Sequence, residues 1–167
     1  MSTDEPRSGD KRYQIVNYIG IADQLLTTRA NQILGVGDLP FAQFVMLNHF
    51  SHEPARPRRV TEVASAMQQP QPTVTRTLQR LVRKGYLEVR AADDDARARV
   101  HVLTRTGRAA HRRAIERLMP EVAARFADWD ARDVDTLHRL LFRLMRELDE
   151  ARSAAAGSNV EAVARDR

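Results

Sequence analysis

The sequence predicts a mainly α-helical protein with one small β-hairpin, and three observations carry that expectation. Two short helical patterns, residues 61–67 and 71–84, are separated by a turn rich in glutamine and proline and closed by Gly85. Two alternating strands follow, residues 86–90 and 99–103, with the charged tip AADDDARA between them. Apolar stripes at spacings of three and four flank this centre, on residues 13–34 and 131–148. The fold class is a winged helix-turn-helix, with a β-wing, flanked by N- and C-terminal helices.

In chain order, residues 1–10 are short, polar and broken by Pro6 and Gly9, which suits a disordered start. The first helix carries Ile15, Ile19, Ala22, Leu26, Ala30 and Ile33 on one stripe, widened by Tyr18 and Leu25, and ends at Gly35 and Gly37. So broad an apolar face calls for both an internal core and a second chain. Pro40 opens the next helix, with Phe41, Phe44, Val45, Leu47 and Phe50. Residues 53–59, with two prolines and three arginines, read as a loop. Thr61 is placed to cap the short helix that follows, residues 68–70 turn the chain, and Pro72 suits the first turn of the next helix. After the hairpin, Thr104 or Thr106 caps a long helix in which Pro120 should bend or break the chain near Leu118. Asp130, with Asp133 three residues on, starts a last helix whose stripe is Val134, Leu137, Leu140, Leu141, Leu144, Met145 and Leu148. Beyond Glu150 the pattern is lost, and residues 151–167 read as a mobile tail.

The chain of 167 residues is large enough for one core, or for one core and a shared interface. It has no apolar run of the roughly 18 residues a membrane helix needs, and its polar start lacks the apolar stretch of a secretory signal. Cysteine is absent, which excludes disulfides, thiolate metal sites and thiol redox sensing; a cytoplasmic protein is the simplest reading. The net charge of +5 is unevenly placed. Residues 54–113 hold 14 Lys/Arg against 5 Asp/Glu, a local excess of nine, while the remainder is net negative by four. Clustering of this kind is the footprint of a phosphate-backbone partner, the alternative being a solvated arginine-rich face.

On the helix of residues 71–84, Val74, Leu78, Leu81 and Val82 fall at i, i+4, i+7 and i+8 and must face the core. The other side then carries Thr73, Arg76, Gln79, Arg80 and Arg83, with Gln71 and Thr75 near the N-terminal end. A recognition helix touches base edges with its N-terminal residues, which selects Gln71, Thr73, Thr75 and Arg76. Arginine pairs twice with guanine and glutamine twice with adenine, while threonine offers a hydroxyl and a methyl. Arg80 and Arg83 lie further along, where phosphates are met. An ordinary amphipathic surface helix would show the same pattern.

The segments LPFAQFVML, PTVTRTLQRLVRKGYLEVR and DARARVHVLTRTGR make the reading specific: residues 39 to about 148 resemble the MarR (multiple-antibiotic-resistance regulator) family of bacterial transcription factors. That family sets an Asp-x-Arg pair in the wing at a fixed distance before Leu-Thr, as Asp95, Arg97, Leu103 and Thr104 do here. The resemblance implies that Arg97 enters the DNA minor groove and that Asp95 restrains it by a salt bridge. A narrow A·T-rich groove concentrates negative potential and favours such a guanidinium. Asp93 and Asp94 have no role in that pattern and need partners, for which Arg90 and Arg99 are the candidates. The stretch QQPQP departs from the family, which often has Ser or Thr as the helix cap there, and leaves the start of the recognition helix open.

The resemblance further implies a homodimer built from the N-terminal helix and the last two helices. The organisation is then residues 1–10 as N-terminus, 11–38 as a dimerisation helix, 39–104 as the winged helix-turn-helix, 105–150 as C-terminal dimerisation helices and 151–167 as tail. Two-fold symmetry would set recognition helices about 34 Å apart and favour a palindromic operator in double-stranded DNA. In relatives, small molecules such as phenolic acids bind between the dimer and DNA-binding parts and release a repressor from DNA. Tyr18, Phe44, Asn48, His49 and His52 fall on helices bordering that cleft. His49 and His52, with Glu53 beside them, have a spacing that suits a metal, but two imidazoles without a third ligand type do not make a site. His101, His111 and His138 are scattered. No metal or cofactor is expected. An enzyme is remote, because no cysteine nucleophile, Gly-rich phosphate loop or carboxylate–histidine set is present. The alternative function is a winged-helix module for protein or RNA contact without sequence-specific DNA binding.

Overall fold

The computed structural model describes residues 9–35, 39–95 and 97–165, the last eleven of these as backbone alone. Gly37, residues 1–8 and the last two residues of the tail lie outside the described residues. Six helices and a three-stranded sheet follow in the order α1 (Lys11–Gly35), α2 (Phe41–Ser51), β1 (Arg58–Arg59), α3 (Val60–Met67), α4 (Gln71–Arg83), β2 (Leu87–Ala91), β3 (Arg99–Leu103), α5 (Arg105–Arg125) and α6 (Ala131–Arg165). The chain divides into two compact units between Glu121 and Val122. No helix of the described residues is long and apolar enough to cross a membrane.

The core of the first unit gathers around α2, α3 and α4, where Leu47, Phe50, Val63, Val74, Leu78 and Leu81 are wholly buried. Each such side chain contributes roughly 1.5–3 kcal/mol on leaving water. The end of α1 joins them through Leu34, and α5 through Ala114. Further back, α1 exposes Ile15, Tyr18, Ile19, Leu25 and Leu26. Asn31 couples α1 to α2: its Oδ1 accepts the Phe41 N–H at 3.0 Å, and its Nδ2 donates to the Thr27 carbonyl. This serves an orphan donor of a helix start that has Pro40 at its N-cap and no side-chain cap.

Strand β1 is a correction to the sequence reading, which made residues 53–59 a loop. It pairs antiparallel with β3, Arg58 opposite His101 and Arg59 opposite Val100. Two arginines after a proline carry no alternation that sequence could reveal. The sheet order is β1-β3-β2, so β3 is central, and His101 is buried with its neighbours Val100 and Val102. Helix α3 starts directly from β1, with extended Arg59 at its N-cap and no side-chain cap, so Thr61 is inside the helix instead of capping it.

Two helices run on past the points where the sequence pattern pauses. Helix α5 continues through Pro120 to Arg125, so of the bend or break expected near Leu118 the break does not occur. Pro120 is exposed, so water can serve the carbonyl that a helical proline leaves unbonded. Helix α6 continues past Glu150 to Arg165, where the apolar pattern is gone. The alanines of this stretch have high helix propensity, which needs no apolar stripe. The start of α6 is as expected: Asp130 Oδ1 accepts the Arg132 N–H at 2.8 Å. Within this second unit Leu140, Leu141, Met145 and Leu148 are exposed, and Val134, Leu137 and Leu144 are half-buried.

Candidate nucleic-acid interface

The turn between α3 and α4 is made by Gln68, whose φ of 50° ends α3 in the left-handed region while its N–H bonds back to Ala64 and Ser65. Helix α4 then starts at Gln71, which settles the boundary that QQPQP left open. Pro70 occupies the N-cap, and its carbonyl accepts both the Thr73 and Val74 N–H groups at 2.9 and 3.2 Å. With Pro72 lacking an N–H, this start has few donors left to cap. At the other end Gly85, at φ 68°, closes α4 through the bonds Gly85 N–H to Val82 O and Tyr86 N–H to Leu81 O.

Val74, Leu78 and Leu81 anchor α4 in the core, with Val82 half-buried, and Gln71, Thr73, Arg76, Gln79, Arg80 and Arg83 are exposed. Thr75 is half-buried, and its hydroxyl donates to the Gln71 carbonyl at 2.8 Å. Its proton is therefore held by the helix. Among the described residues no carboxylate pairs with Arg76, Arg80 or Arg83. That matters because much of the basic excess nearby is neutralised. Arg56 bonds Glu53 at 2.8 Å and Glu62 at 2.5 Å, and Arg90 pairs with Glu88. The guanidinium of Arg58, only 6% exposed, lies 2.9 Å from Glu53, 3.6 Å from Glu62 and over the Phe50 ring.

At the wing tip Arg97 is exposed. Its backbone N–H donates to Asp95 Oδ1 at 2.9 Å, and the Asp95 carbonyl accepts from Ala98 N–H. The two side chains form no ion pair among the described residues. Asp95 thus holds the backbone beneath Arg97 instead of pairing with its guanidinium, a departure from the expected salt bridge. Asp94 is paired with Arg59 at 2.6 Å, neither Arg90 nor Arg99 being its partner.

Behind this surface the structure brings together three of the five expected ligand residues and one that sequence reasoning missed. His111 stacks on Phe44 with ring centroids 5.3 Å apart, and its Nε2 lies 3.0 Å from Asn48 Oδ1. Ser51 Oγ and the same Nε2 are 3.5 Å apart, as are Asn48 Nδ2 and His52 Nε2. Burial holds the His111 imidazole below its ordinary pKa of 6.5, with His52 a smaller cause. The signal for His111 was present in the buried run Gly107, Ala110, His111 and Ala114, which keeps the spacing of one helix face. His49 is apart from this group. It meets Phe50 edge-on, its Nε2 is buried without a partner, and burial, then Arg58, lowers its pKa. Tyr18 is 62% exposed on α1. No three metal-ligating side chains cluster among the described residues.

A helix-turn-helix beside a three-stranded wing, between flanking helices, defines the class: a winged helix-turn-helix protein. Residues 37–98 match the model of the MarR family. Wild-type apo MarR from E. coli superposes with a TM-score of 0.68 at 24% identity, over 77% of this chain and 94% of MarR. The transcriptional regulator BldR from Sulfolobus solfataricus gives 0.68 at 24% identity, over 82% and 99%. A mutant of E. coli MarR complexed with operator DNA gives 0.67 at 23% identity, over 80% and 95%. No curated protein matches the sequence.

Proposed function

We propose that this chain is a homodimeric transcription regulator that binds a palindromic DNA operator and represses until a small aromatic ligand releases it. The observation that carries the DNA reading is the exposed face of α4, with three arginines that no carboxylate among the described residues neutralises, beside a wing tip that presents Arg97. In this reading Gln71, Thr73, Arg76 and Gln79 meet base edges, Thr75 contributes its methyl, and Arg80 and Arg83 hold phosphates. Arg97 enters the minor groove, with Asp95 fixing the backbone below it. The operator complex of the similar E. coli MarR mutant supports DNA as the partner.

The exposed apolar faces of α1 and α6 support a second copy of the chain as their cover, since apolar patches of this extent seldom face water. The group of Phe44, Asn48, His52 and His111 supports a ligand site beneath the helix-turn-helix, with Tyr18 supplied from α1. Selection of duplexes from a random pool, followed by titration in a mobility-shift assay, tests the proposal. Arg97→Ala should weaken binding of the selected duplex while circular dichroism stays unchanged. Unchanged affinity would remove the wing from the mechanism.

A further inference from the structure

Asp93, Asp94 and Asp95 place three acids in a row on a wing that the proposed function sets against DNA. Near phosphates each carboxylate is unfavourable, and neutralising one should tighten binding. The bonding at the tip separates the three. Asp95 accepts the Arg97 N–H, and Asp94 Oδ1 is 2.6 Å from Arg59 Nη2, a residue 35 positions earlier in the chain. Asp93 is exposed with neither bond.

Arg59 sits on a fixed base. Its neighbour Arg58 is buried between Glu53 and Glu62 and over Phe50, so β1 is held to the end of α2 and the start of α3. Pairing of β1 with the wing reaches only His101 and Val100. Beyond that register the wing is a two-stranded ribbon closed by Ala92 N–H to Ala98 O, and two-stranded ribbons hold their direction poorly. A cleft of about 360 Å³ lies between Pro57, Arg59 and Glu62 on one side and Arg90, Asp93 and Asp94 on the other. The Arg59–Asp94 bond spans it. At 43% and 76% side-chain exposure this pair contributes little to stability, so its effect is on where the tip points.

We propose that Arg59 and Asp94 tether the wing and set the reach of Arg97, so that Asp94, an acid on the DNA-facing tip, promotes DNA binding. This rests on the DNA-binding reading, and the test keeps the two apart. Wild type, Asp93→Asn, Asp94→Asn, Arg97→Ala and the double variant Asp94→Asn/Arg97→Ala are titrated with a duplex selected by the wild-type protein. Asp93→Asn should bind as tightly as wild type or tighter. Asp94→Asn should bind several-fold more weakly, with an unchanged thermal midpoint. In the Arg97→Ala background, where there is no guanidinium to aim, Asp94→Asn should lose that penalty and bind slightly tighter than Arg97→Ala alone. Equal or tighter binding by Asp94→Asn in the otherwise wild-type chain overturns the tether and leaves the DNA reading standing. A wild-type chain that selects no duplex overturns both.

Discussion

At Gly107 there is no room for a methyl group. A Cβ built there would lie 2.1 Å from the Tyr86 carbonyl oxygen and 2.8 Å from Leu103 Cδ1. That carbonyl cannot withdraw freely, because it accepts both the backbone N–H and the hydroxyl of Thr104 at 3.1 Å. Thr104 Oγ1 also donates to the Gly85 carbonyl and accepts the Gly107 N–H, so one hydroxyl joins the end of α4 to the start of α5. Gly107→Ala should therefore cost about 1–3 kcal/mol in urea unfolding, and an unchanged midpoint would show that the approach is looser than it looks. Protonation gives a second residue-scale expectation. Burial lowers the pKa values of His49, His101 and His111 below 6.5. The unfolded chain takes up these protons first, so their contribution is complete above the unfolded value and is lost as pH falls through the lower folded values. Thermal midpoints should fall from pH 7 to about pH 5, and less steeply in His111→Gln, which keeps a donor for Asn48; a flat profile would argue against buried neutral imidazoles. Arg76 and Arg83 separate two modes of contact. Arg76→Ala should relax base preference, whereas Arg83→Ala should lower affinity evenly and flatten the salt slope by about one. Loss of base preference in both variants would contradict that division.

At the scale of elements, sequence legibility followed periodicity. The buried side of α4 could be read because Val74, Leu78 and Leu81 repeat at helical spacing and all three are wholly buried. The end of α4 was legible because glycine alone adopts the conformation of Gly85 without cost. Strand β1 was not legible, since two residues cannot show a period and what holds it is the long-range pairing with β3 and the burial of Arg58. The same limit hid the Arg59–Asp94 bond and the place of His111, both set by tertiary contact. The α3–α4 turn shows a different gap: Gln68 stands in a left-handed conformation that usually selects glycine or asparagine. Gln68→Gly should leave stability equal or raise it by up to about 1 kcal/mol, while Gln68→Val should lower it by more than that. Tolerance of valine there would mean that the turn rearranges.

For the molecule as a whole, exposed apolar residues outnumber what a lone chain should carry: Val16 and Leu25 are 66% exposed on α1, and Leu148 is 64% exposed on α6. The proposed two-fold dimer would cover them and would set the spacing of two recognition helices in one step. Leu25→Glu should shift sedimentation towards the monomer and weaken binding to a two-half-site duplex far more than to a single half-site. Persistence of the dimer would place the interface elsewhere. The central claim, that this winged helix reads DNA sequence, rests on the affinity difference between a selected palindromic duplex and a scrambled one of equal length and composition, titrated across salt. A clear preference for the palindrome is expected at every salt concentration, with both affinities falling as salt rises. Equal affinities for the two duplexes would contradict it.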